Sequence, residues 1–252
     1  MKLSRRLTKI LEKIPRGSRL ADIGSDHALL PVAAVESGAA IQAIAGEVNP
    51  GPYDAAVKQV IESGMTEVIS VRRGDGLNVL SAGEADVITI AGMGGSLIAA
   101  ILDRGIDKLT GVRRLVLQPN VGEDILRKWL YSHGWVLIEE WILEEDGKIY
   151  EVLVAEPSHT TDLTNEQVYK DRAIGGGLRL STDWLFRMGP WLTQSPNPVF
   201  YDKWKSEIEK MEYILLSLSR SDLTTAADKA SEIRSDIEFI QEVLACLPKD
   251  KP

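Results

Sequence analysis

Short apolar runs alternate with amphipathic stretches between residues 19 and 132 of this chain. The runs are rich in Val, Ile and Ala, as in strands buried on both faces, and the stretches place apolar residues at helical spacing. The predicted strands are Arg19–Ile23, Ile41–Val48, Val68–Arg72, Asp86–Ala91 and Arg113–Gln118. The predicted helices are Leu29–Ser37, Asp54–Ser63, Ser96–Asp103 and Glu123–Ser132. This alternation predicts an α/β fold, a doubly wound parallel sheet with its functional loops at the carboxyl ends of the strands.

A hairpin is predicted to complete this sheet. Two further strands, Trp135–Leu143 and Ile149–Ala155, flank a short polar segment that contains Asp146-Gly147. Asp-Gly between two apolar runs is a strong signal for a tight antiparallel turn. The sequence therefore predicts a terminal antiparallel hairpin.

The pattern changes again after residue 157. Residues 158–199 are predicted to form a linker and an irregular segment, in which Gly175-Gly176-Gly177 is a hinge or a turn. Residues 200–252 are predicted to form an antiparallel coiled-coil hairpin that turns at Ser219–Thr225. Its heptad positions are Trp204, Ile208, Met211, Leu215, Leu218, Ala226, Ala230, Ile233, Ile237, Ile240, Leu244 and Leu247. Such an arm would serve dimerisation or substrate binding, unless the helices merely pack on the main domain.

Composition narrows the class of protein. The 252 residues are 44% hydrophobic and 26% charged, which is ordinary for a folded chain. A lone cysteine, Cys246, cannot form an internal disulfide, and the chain begins without the apolar stretch of a signal peptide. No run of about 18 apolar residues is present, so no membrane span is expected. These features predict a cytoplasmic protein.

The net charge of −8 conceals a strong segregation. Residues 1–19 carry seven basic side chains and one acidic side chain, so the rest of the chain sums to −14. Leu7, Ile10 and Ile14 recur at helical spacing there and predict a helix that ends at Pro15. Its basic face is either an ordinary solvated surface or a patch that contacts nucleic-acid phosphates. The candidates for such contacts are Lys2, Arg5, Arg6, Lys9, Arg72, Arg73, Arg113 and Arg114.

The loop after the first strand favours a cationic ligand. A dinucleotide-binding loop has the pattern Gly-x-Gly-x-x-Gly, but Asp26 and Leu29 stand where the second and third glycines would follow Gly24. Asp22 and Asp26 would also repel a pyrophosphate. S-adenosylmethionine carries an ammonium and a sulfonium and has no phosphate. A methyltransferase is therefore favoured, and an NAD-dependent oxidoreductase and a non-catalytic coiled-coil scaffold are kept as alternatives.

The loops after the next strands supply the remaining candidates. Glu47, followed by Val48, is placed to accept hydrogen bonds from ribose hydroxyls, which both kinds of cofactor carry. Asp75, followed by Gly76, is placed to accept from an adenine amino group. The glycine-rich turn at Ala91–Met93 brings backbone close to its ligand.

The same turn lacks the side chains that often accept hydrogen bonds from an exocyclic amino group. Ring N1 of adenine already has an in-plane lone pair, so a site that aligns it needs positioning more than a base. Besides Gly92 and Met93, the candidates for positioning a base are Gln118 and Asn120, which are otherwise turn residues. No catalytic residue is assigned. The three histidines and Cys246 are scattered without metal-ligand spacing, so no metal is expected.

Six motifs in order resemble one family. The runs ADIGSDHALLP, GEVNPGP, RRGDGL, AGMGG, LQPNVGEDILRKWL and ILEEDGKIYEVLVAE are similar to those of the bacterial TrmK-type tRNA (adenine-N1)-methyltransferases, which modify adenine 22. The resemblance implies a class I methyltransferase domain at residues 1–157, S-adenosylmethionine as donor, tRNA as substrate and a C-terminal coiled coil. By motif, the donor pocket would be lined by Asp22, Gly24, Ser25, Asp26, His27, Glu47, Val48, Asp75, Gly76, Ala91, Gly92 and Met93.

Overall fold

The computed structural model of this chain describes residues 3–218 and 224–248. Two compact units make up the chain, the first ending at Val168 and the second beginning at Tyr169. Within the described residues, no helix is both long enough and apolar enough to cross a membrane.

One sheet organises the first unit. Its strands are β1 Ser18–Ile23, β2 Ala40–Glu47, β3 Ile69–Arg73, β4 Val87–Met93, β5 Arg114–Pro119, β6 Trp135–Glu145 and β7 Lys148–Pro157. They are ordered β3-β2-β1-β4-β5-β7-β6; β1 to β5 pair in parallel, and β7 pairs antiparallel with both β5 and β6. The order reverses between β1 and β4, where α/β sheets open a crevice for ligands. The predicted α/β class and the terminal hairpin are confirmed.

Each observed strand ends within two residues of its predicted bounds, because buried Val and Ile runs mark these strands clearly. The hairpin turns at the predicted dipeptide, where Asp146 and Gly147 have φ of 51° and 70°. Two positive φ values in succession are what a tight turn of the type I′ class requires.

Helices cover the sheet. Those described in this unit are α1 Arg5–Glu12, α2 Leu29–Glu36, α3 Pro50–Glu62, α4 Gly95–Arg104, α5 Glu123–Ser132 and α6 Asn165–Val168. The predicted start of α3 at Asp54 is four residues late, because Pro50 begins the helix in the position where proline's missing N–H costs nothing. The first helix starts at Ser4, whose hydroxyl accepts a hydrogen bond from the Leu7 amide at 3.1 Å.

A buried ion cluster joins α5 to the hairpin. Arg127 of α5 is fully buried, and its Nε donates to Oε1 of Glu140 on β6 at 2.7 Å. The same guanidinium also pairs with Glu151 of β7, which is buried as well. Buried charges of this kind are tolerated only while they are paired, so the cluster fixes how α5 lies on the hairpin.

The second unit contains more regular structure than the sequence predicts. A small hairpin, β8 Arg172–Gly175 and β9 Leu178–Leu180, and the helix α7 Thr182–Met188 lie within the segment expected to be irregular. Strands of four and three residues are too short to show a hydrophobic period, which is why the pattern misses them. The glycine tract Gly175–Gly177 forms the turn of this hairpin, with φ between 57° and 112°.

Two long helices follow, α8 Pro198–Leu218 and α9 Thr224–Cys246. They pack antiparallel, and the Tyr201 hydroxyl at the start of α8 donates to the Pro248 carbonyl beyond the end of α9 at 2.9 Å. Trp204 and Ile208 are buried, as are Ile237 and Ile240. One heptad position shifts, because Val243 is buried in place of Leu244.

The unit is not a bare helical pair. Trp184 of α7 stacks on Phe239 of α9 with ring centroids 4.6 Å apart, and Arg187 pairs with Asp236 at 2.8 Å. Most of the predicted turn, residues 219–223, lies outside the described residues. A role for this pair as a coiled-coil arm that binds tRNA or a second subunit stays a prediction.

Candidate functional site

The loops that follow β1, β2 and β3 are tied together at one edge of the sheet. The amides of Gly24 and Ser25 both donate to the Gly46 carbonyl, at 2.9 and 3.1 Å. The amide of Gly74 donates to the Glu47 carbonyl at 2.9 Å. The three loops therefore form one backbone-linked rim at the carboxyl edge of the sheet.

Asp22 is the buried acid of this rim. It is 6% exposed, and one oxygen, Oδ1, accepts a hydrogen bond from the Thr89 hydroxyl of β4 at 2.5 Å. Burial raises the pKa of Asp22, and the hydroxyls of Thr89 and Ser25 and the positive charge of Arg6 oppose that rise. A carboxylate held in this environment is stabilised by any cation that enters beside it.

Gly24 packs against the turn that follows β4. Its φ is +71°, and a Cβ on this residue would lie 2.2 Å from the Cε methyl of Met93. A Cβ here would displace the end of the Met93 side chain, so the loop after β1 contacts the turn after β4 through Met93. Gly24 and Met93, predicted to line one pocket, are in contact.

Asp26 and His27 of the same loop are exposed. The His27 ring nitrogen Nε2 is 3.4 Å from Oδ1 of Asp26. His27 and Ala28 have φ of 55° and 52°, a left-handed conformation that costs a residue with a side chain on the order of 1 kcal/mol or more. Such strain is concentrated at functional loops, which supports a ligand-binding role for this one.

Glu47 and Asp75 differ in burial. Glu47 is buried, and burial raises the pKa of its carboxyl while the Val48 amide, which donates to it, lowers it. Asp75 is exposed and pairs with Arg104 at 3.5 Å. Val48 is likewise exposed, and Gly76 has a φ of 55°. The structure thus brings Glu47 to the interior of the rim and leaves Asp75 at its surface.

The turn after β4 is held by the chain that follows β5. Asn120 donates from its backbone amide to the Met93 carbonyl at 2.7 Å and from Nδ2 to the Gly92 carbonyl at 2.8 Å. Gln118 is fully buried, and its Oε1 accepts from the Gly92 amide at 3.1 Å. Its Nε2 donates to the Pro119 carbonyl and to Oδ1 of Asn120. Both ends of the Gln118 amide are therefore hydrogen-bonded within the protein, and its predicted contact with a substrate base stays a prediction.

Arg6 is the residue whose place the sequence does not reveal. Its Nη1 donates to Oε1 of Gln118 at 2.5 Å, and its guanidinium lies 5.3 Å from the centroid of the Tyr150 ring. The sequence groups Arg6 with the surface cations of the first helix, whereas the structure inserts it beside the Gly92 turn. Thr89 and Tyr150 were also missed; Thr89 could have been found as the one polar residue in the apolar run of β4.

The other basic candidates separate into two groups. Arg5 is exposed on α1, and Lys9 lies 4.0 Å from the centroid of the Trp141 ring and pairs with Glu12. Arg73 is exposed at the carboxyl end of β3. Of these three, Arg5 and Arg73 are exposed, whereas the Lys9 side chain is 23% exposed and engaged by Glu12 and Trp141. Lys2 lies outside the described residues.

The second group is engaged in ion pairs within the domain. Arg72 forms a two-point contact with Glu84, which lowers the pKa of Glu84 to about 2. Arg114 pairs with Glu156, and Arg113 lies 3.8 Å from Asp86. Arg113 and Arg114 precede and begin β5, so they lie at the amino edge of the sheet, one strand length of about 20 Å from the rim. The predicted role of Arg72, Arg113 and Arg114 in contacting a nucleic acid stays a prediction, and the structure shows Arg72 and Arg114 paired with acids of the same domain.

Comparison with known proteins identifies the family. The family model described as "TrmK: tRNA (adenine(22)-N(1))-methyltransferase" matches residues 20–242, which include all the loops of the rim. The chain belongs to the TrmK family.

Similar proteins extend over the whole chain. The tRNA (adenine(22)-N(1))-methyltransferase of Bacillus subtilis (strain 168) is 47% identical over 245 residues, covering 97% of this chain and 98% of that protein. The crystal structure of the B. subtilis M1A22 tRNA methyltransferase TrmK matches with a TM-score of 0.86 at 46% identity, covering 96% of this chain and 98% of that one. Streptococcus pneumoniae Sp1610 in complex with S-adenosyl-L-methionine matches with a TM-score of 0.80 at 41% identity, covering 96% and 100%.

The rim of this TrmK family member fits S-adenosylmethionine. Asp22 and Glu47 are buried acids at adjacent strand ends, and the loop after β1 and the turn after β4 meet where the Met93 side chain contacts Gly24. A cationic, phosphate-free ligand suits that acidic lining, whereas a pyrophosphate does not. Across the described residues, no group of three or more His, Cys, Asp or Glu side chains is placed to hold a metal ion.

Proposed function

We propose that this protein transfers a methyl group from S-adenosylmethionine to N1 of adenine 22 in tRNA. One observation carries the proposal, namely that the match to the TrmK family runs through every loop that the structure assembles at the rim. The acidic, buried lining of that rim opposes the NAD-dependent alternative, and the density of polar groups at the strand ends opposes a purely structural scaffold.

Different residues of the rim bind different parts of the donor. Asp22 is placed to receive the ammonium group, and Glu47 is placed to accept from the ribose hydroxyls. Asp75, Gly76 and the His27 loop close the adenosine side of the pocket. When bound, S-adenosylmethionine supplies an electrophilic methyl group on its sulfonium.

The acceptor needs alignment and not deprotonation. N1 of adenine carries an in-plane lone pair, so the residues around Gly92 have only to hold the base, exclude water and direct N1 toward the donor. Gln118 and Asn120 keep the Gly92 turn in one conformation and therefore act as positioning residues. No general base is assigned, because adenine N1 carries no proton that must be removed before methyl transfer.

The basic residues with free surface provide the contact to tRNA. Arg5, Lys9 and Arg73 carry this role, together with Lys2. The activity is placed in the cytoplasm, which the reducing environment implied by a lone Cys246 supports.

Methyl transfer to defined transcripts tests the proposal. Incubation with radiolabelled donor and an unmodified tRNA transcript should label the RNA, whereas the same transcript with guanine at position 22 should stay unlabelled. Calorimetric titration should show binding of S-adenosylmethionine and none of NADH. Equal labelling of both transcripts, or binding of NADH alone, would refute the proposal.

A further inference from the structure

The Arg6 side chain extends in a different direction from the other basic side chains of the first helix. It leaves α1 toward the sheet, donates to Oε1 of Gln118 at 2.5 Å and packs over the Tyr150 ring. Its Nη1 would be 3.6 Å from a Cβ placed on Gly92, so the guanidinium adjoins the turn that faces the acceptor. The side chain is half-buried, whereas that of its neighbour Arg5 is exposed.

The surroundings fix this guanidinium in place. Glu145 accepts hydrogen bonds from the backbone amides of Arg5 and Arg6, at 2.5 and 3.2 Å, and so anchors the start of α1 to the hairpin. Gln118 cannot rotate without breaking its bonds to Gly92, Pro119 and Asn120. A cation held on two sides in this way is pre-organised for a ligand.

The same guanidinium retains unused donors. An arginine side chain has five N–H groups, and the structure describes an acceptor for one of those of Arg6. Of the cations, Arg6 is the one whose charge acts most strongly on Asp22. The guanidinium also adjoins Gly92, and the next residue, Met93, contacts Gly24 on the loop that follows Asp22. A planar fork of donors on this side of the loop suits a ligand with an anionic group close to a cationic one.

The donor has such a group. In the methionine portion of S-adenosylmethionine, the carboxylate carbon is two bonds from the ammonium nitrogen. If Asp22 receives the ammonium, the carboxylate must lie a short distance from it. We infer that Arg6 binds the α-carboxylate of the methyl donor, and that donor binding thereby anchors the first turn of the basic helix. This inference rests on the proposed function, because that function assigns the donor to the Asp22 loop.

Matched ligands test the inference without an activity measurement. The titrations compare S-adenosylmethionine with its decarboxylated form, on the unmodified protein and on Arg6→Ala. Removing the carboxylate from the ligand should weaken binding to the unmodified protein by about 10- to 100-fold, the value of a charge-assisted hydrogen bond. Arg6→Ala should weaken S-adenosylmethionine to the same extent and leave the affinity for the decarboxylated ligand unchanged.

Control variants separate the other roles of Arg6. Arg6→Lys should recover part of the affinity, and Arg5→Ala should leave the affinity for the donor unchanged. Thermal unfolding of each variant confirms that it is folded. An equal loss for both ligands in Arg6→Ala would show a merely structural role and overturn the inference. Unchanged donor affinity with weakened tRNA binding would overturn it too, because Arg6 would then contact a phosphate.

The outcome for the unmodified protein distinguishes this inference from the proposed function. If that protein binds neither ligand, the proposed function fails and the inference fails with it. If it binds S-adenosylmethionine but does not distinguish the two ligands, the inference alone fails.

Discussion

Asp22 and Arg6 form the charged centre of the site at the scale of single residues. Asp22 is buried and ionisable, and its pKa is raised by that burial. At neutral pH this carboxyl is ionised in the unfolded chain, whereas burial disfavours the ionised form in the folded chain. Asp22 therefore lowers the free energy of unfolding of the ligand-free protein at neutral pH. The ammonium group of a bound donor offsets that cost. Asp22 therefore lowers the stability of the ligand-free protein and raises its affinity for the donor.

Asp22→Asn should separate affinity from stability. The amide can still accept the hydrogen bond from Thr89, but it cannot attract an ammonium. Donor affinity should fall by about 10- to 100-fold, while the free energy of unfolding of the ligand-free protein stays equal or rises. Calorimetric titration and thermal unfolding measure the two quantities. Full donor affinity in this variant would remove Asp22 from the site.

The same residue predicts how donor affinity depends on pH. Because the pKa of Asp22 is raised, its carboxylate is protonated at a higher pH than an ordinary aspartate, and the attraction for the ammonium is lost there. Donor affinity should therefore decrease as the pH is lowered from 7 toward that raised pKa. In Asp22→Asn the decrease should be shallower, leaving the part that Glu47 contributes. Parallel pH profiles for the two proteins would contradict the assignment.

Neighbouring residues also show the limit of sequence patterns. Arg5 and Arg6 are adjacent and chemically identical, yet one side chain is exposed and the other lies against Gln118. The helical period separates faces of a helix, but it does not say which residue of the opposite layer each face will meet. The hydrogen bonds of Gln118 to Gly92 and Arg6 are not predictable for the same reason, because both partners are distant in the chain.

The strands are the elements that a pattern predicts best. Each observed strand of the main sheet ends within two residues of its predicted bounds, since a buried parallel strand needs an uninterrupted apolar run. The short strands β8 and β9 carry no such run, and their hairpin depends on packing against α9, which only the fold supplies. A strand or helix with a hydrophobic pattern of its own can be predicted from the sequence. A short strand that forms only because it packs against another element cannot.

The buried cluster around Arg127 predicts a large effect at the level of α5 and the hairpin. Arg127→Met would leave Glu140 and Glu151 buried beside each other without their shared cation. The free energy of unfolding should fall by about 3–5 kcal/mol in a denaturant titration at neutral pH. Adding Glu140→Gln and Glu151→Gln to that variant should restore part of the loss, because the uncompensated charges are gone. A loss below about 1 kcal/mol in Arg127→Met would contradict this account of the cluster.

The first helix predicts a salt-dependent contact with tRNA. Replacing Arg5 and Lys9 together with Gln should weaken tRNA binding and reduce the slope of log K against log salt by about 1.5, since two phosphate contacts are lost. Donor affinity should not change, because neither side chain enters the rim. The matched control is Arg113→Gln, an exposed cation at the amino edge of the sheet, which should leave tRNA affinity as it is. A loss in Arg113→Gln equal to that of the double variant would place the tRNA elsewhere.

The whole molecule is acidic, yet its charges are arranged so that a polyanion can approach from one direction. The net charge is −8, and the excess of positive charge lies in the first 19 residues. Part of that excess is neutralised by the hairpin, where Lys13 pairs with Glu139 and Glu145 accepts from the start of α1. The cations that stay exposed, Arg5 and Arg73 among them, are therefore the residues proposed to contact tRNA.

The position of the transferred methyl group shows directly whether the protein methylates N1 of adenine 22. A site whose acceptor turn consists of Ala91, Gly92 and Met93 holds a nucleophile that needs no base, so it should methylate N1 and not the exocyclic amino group of adenine. Unmodified tRNA is incubated with the protein and S-adenosylmethionine, digested to nucleosides and to position-specific fragments, and analysed by mass spectrometry against both methyladenosine standards. The expected product is 1-methyladenosine, located at position 22. Formation of N6-methyladenosine, or of 1-methyladenosine at another position alone, would contradict it.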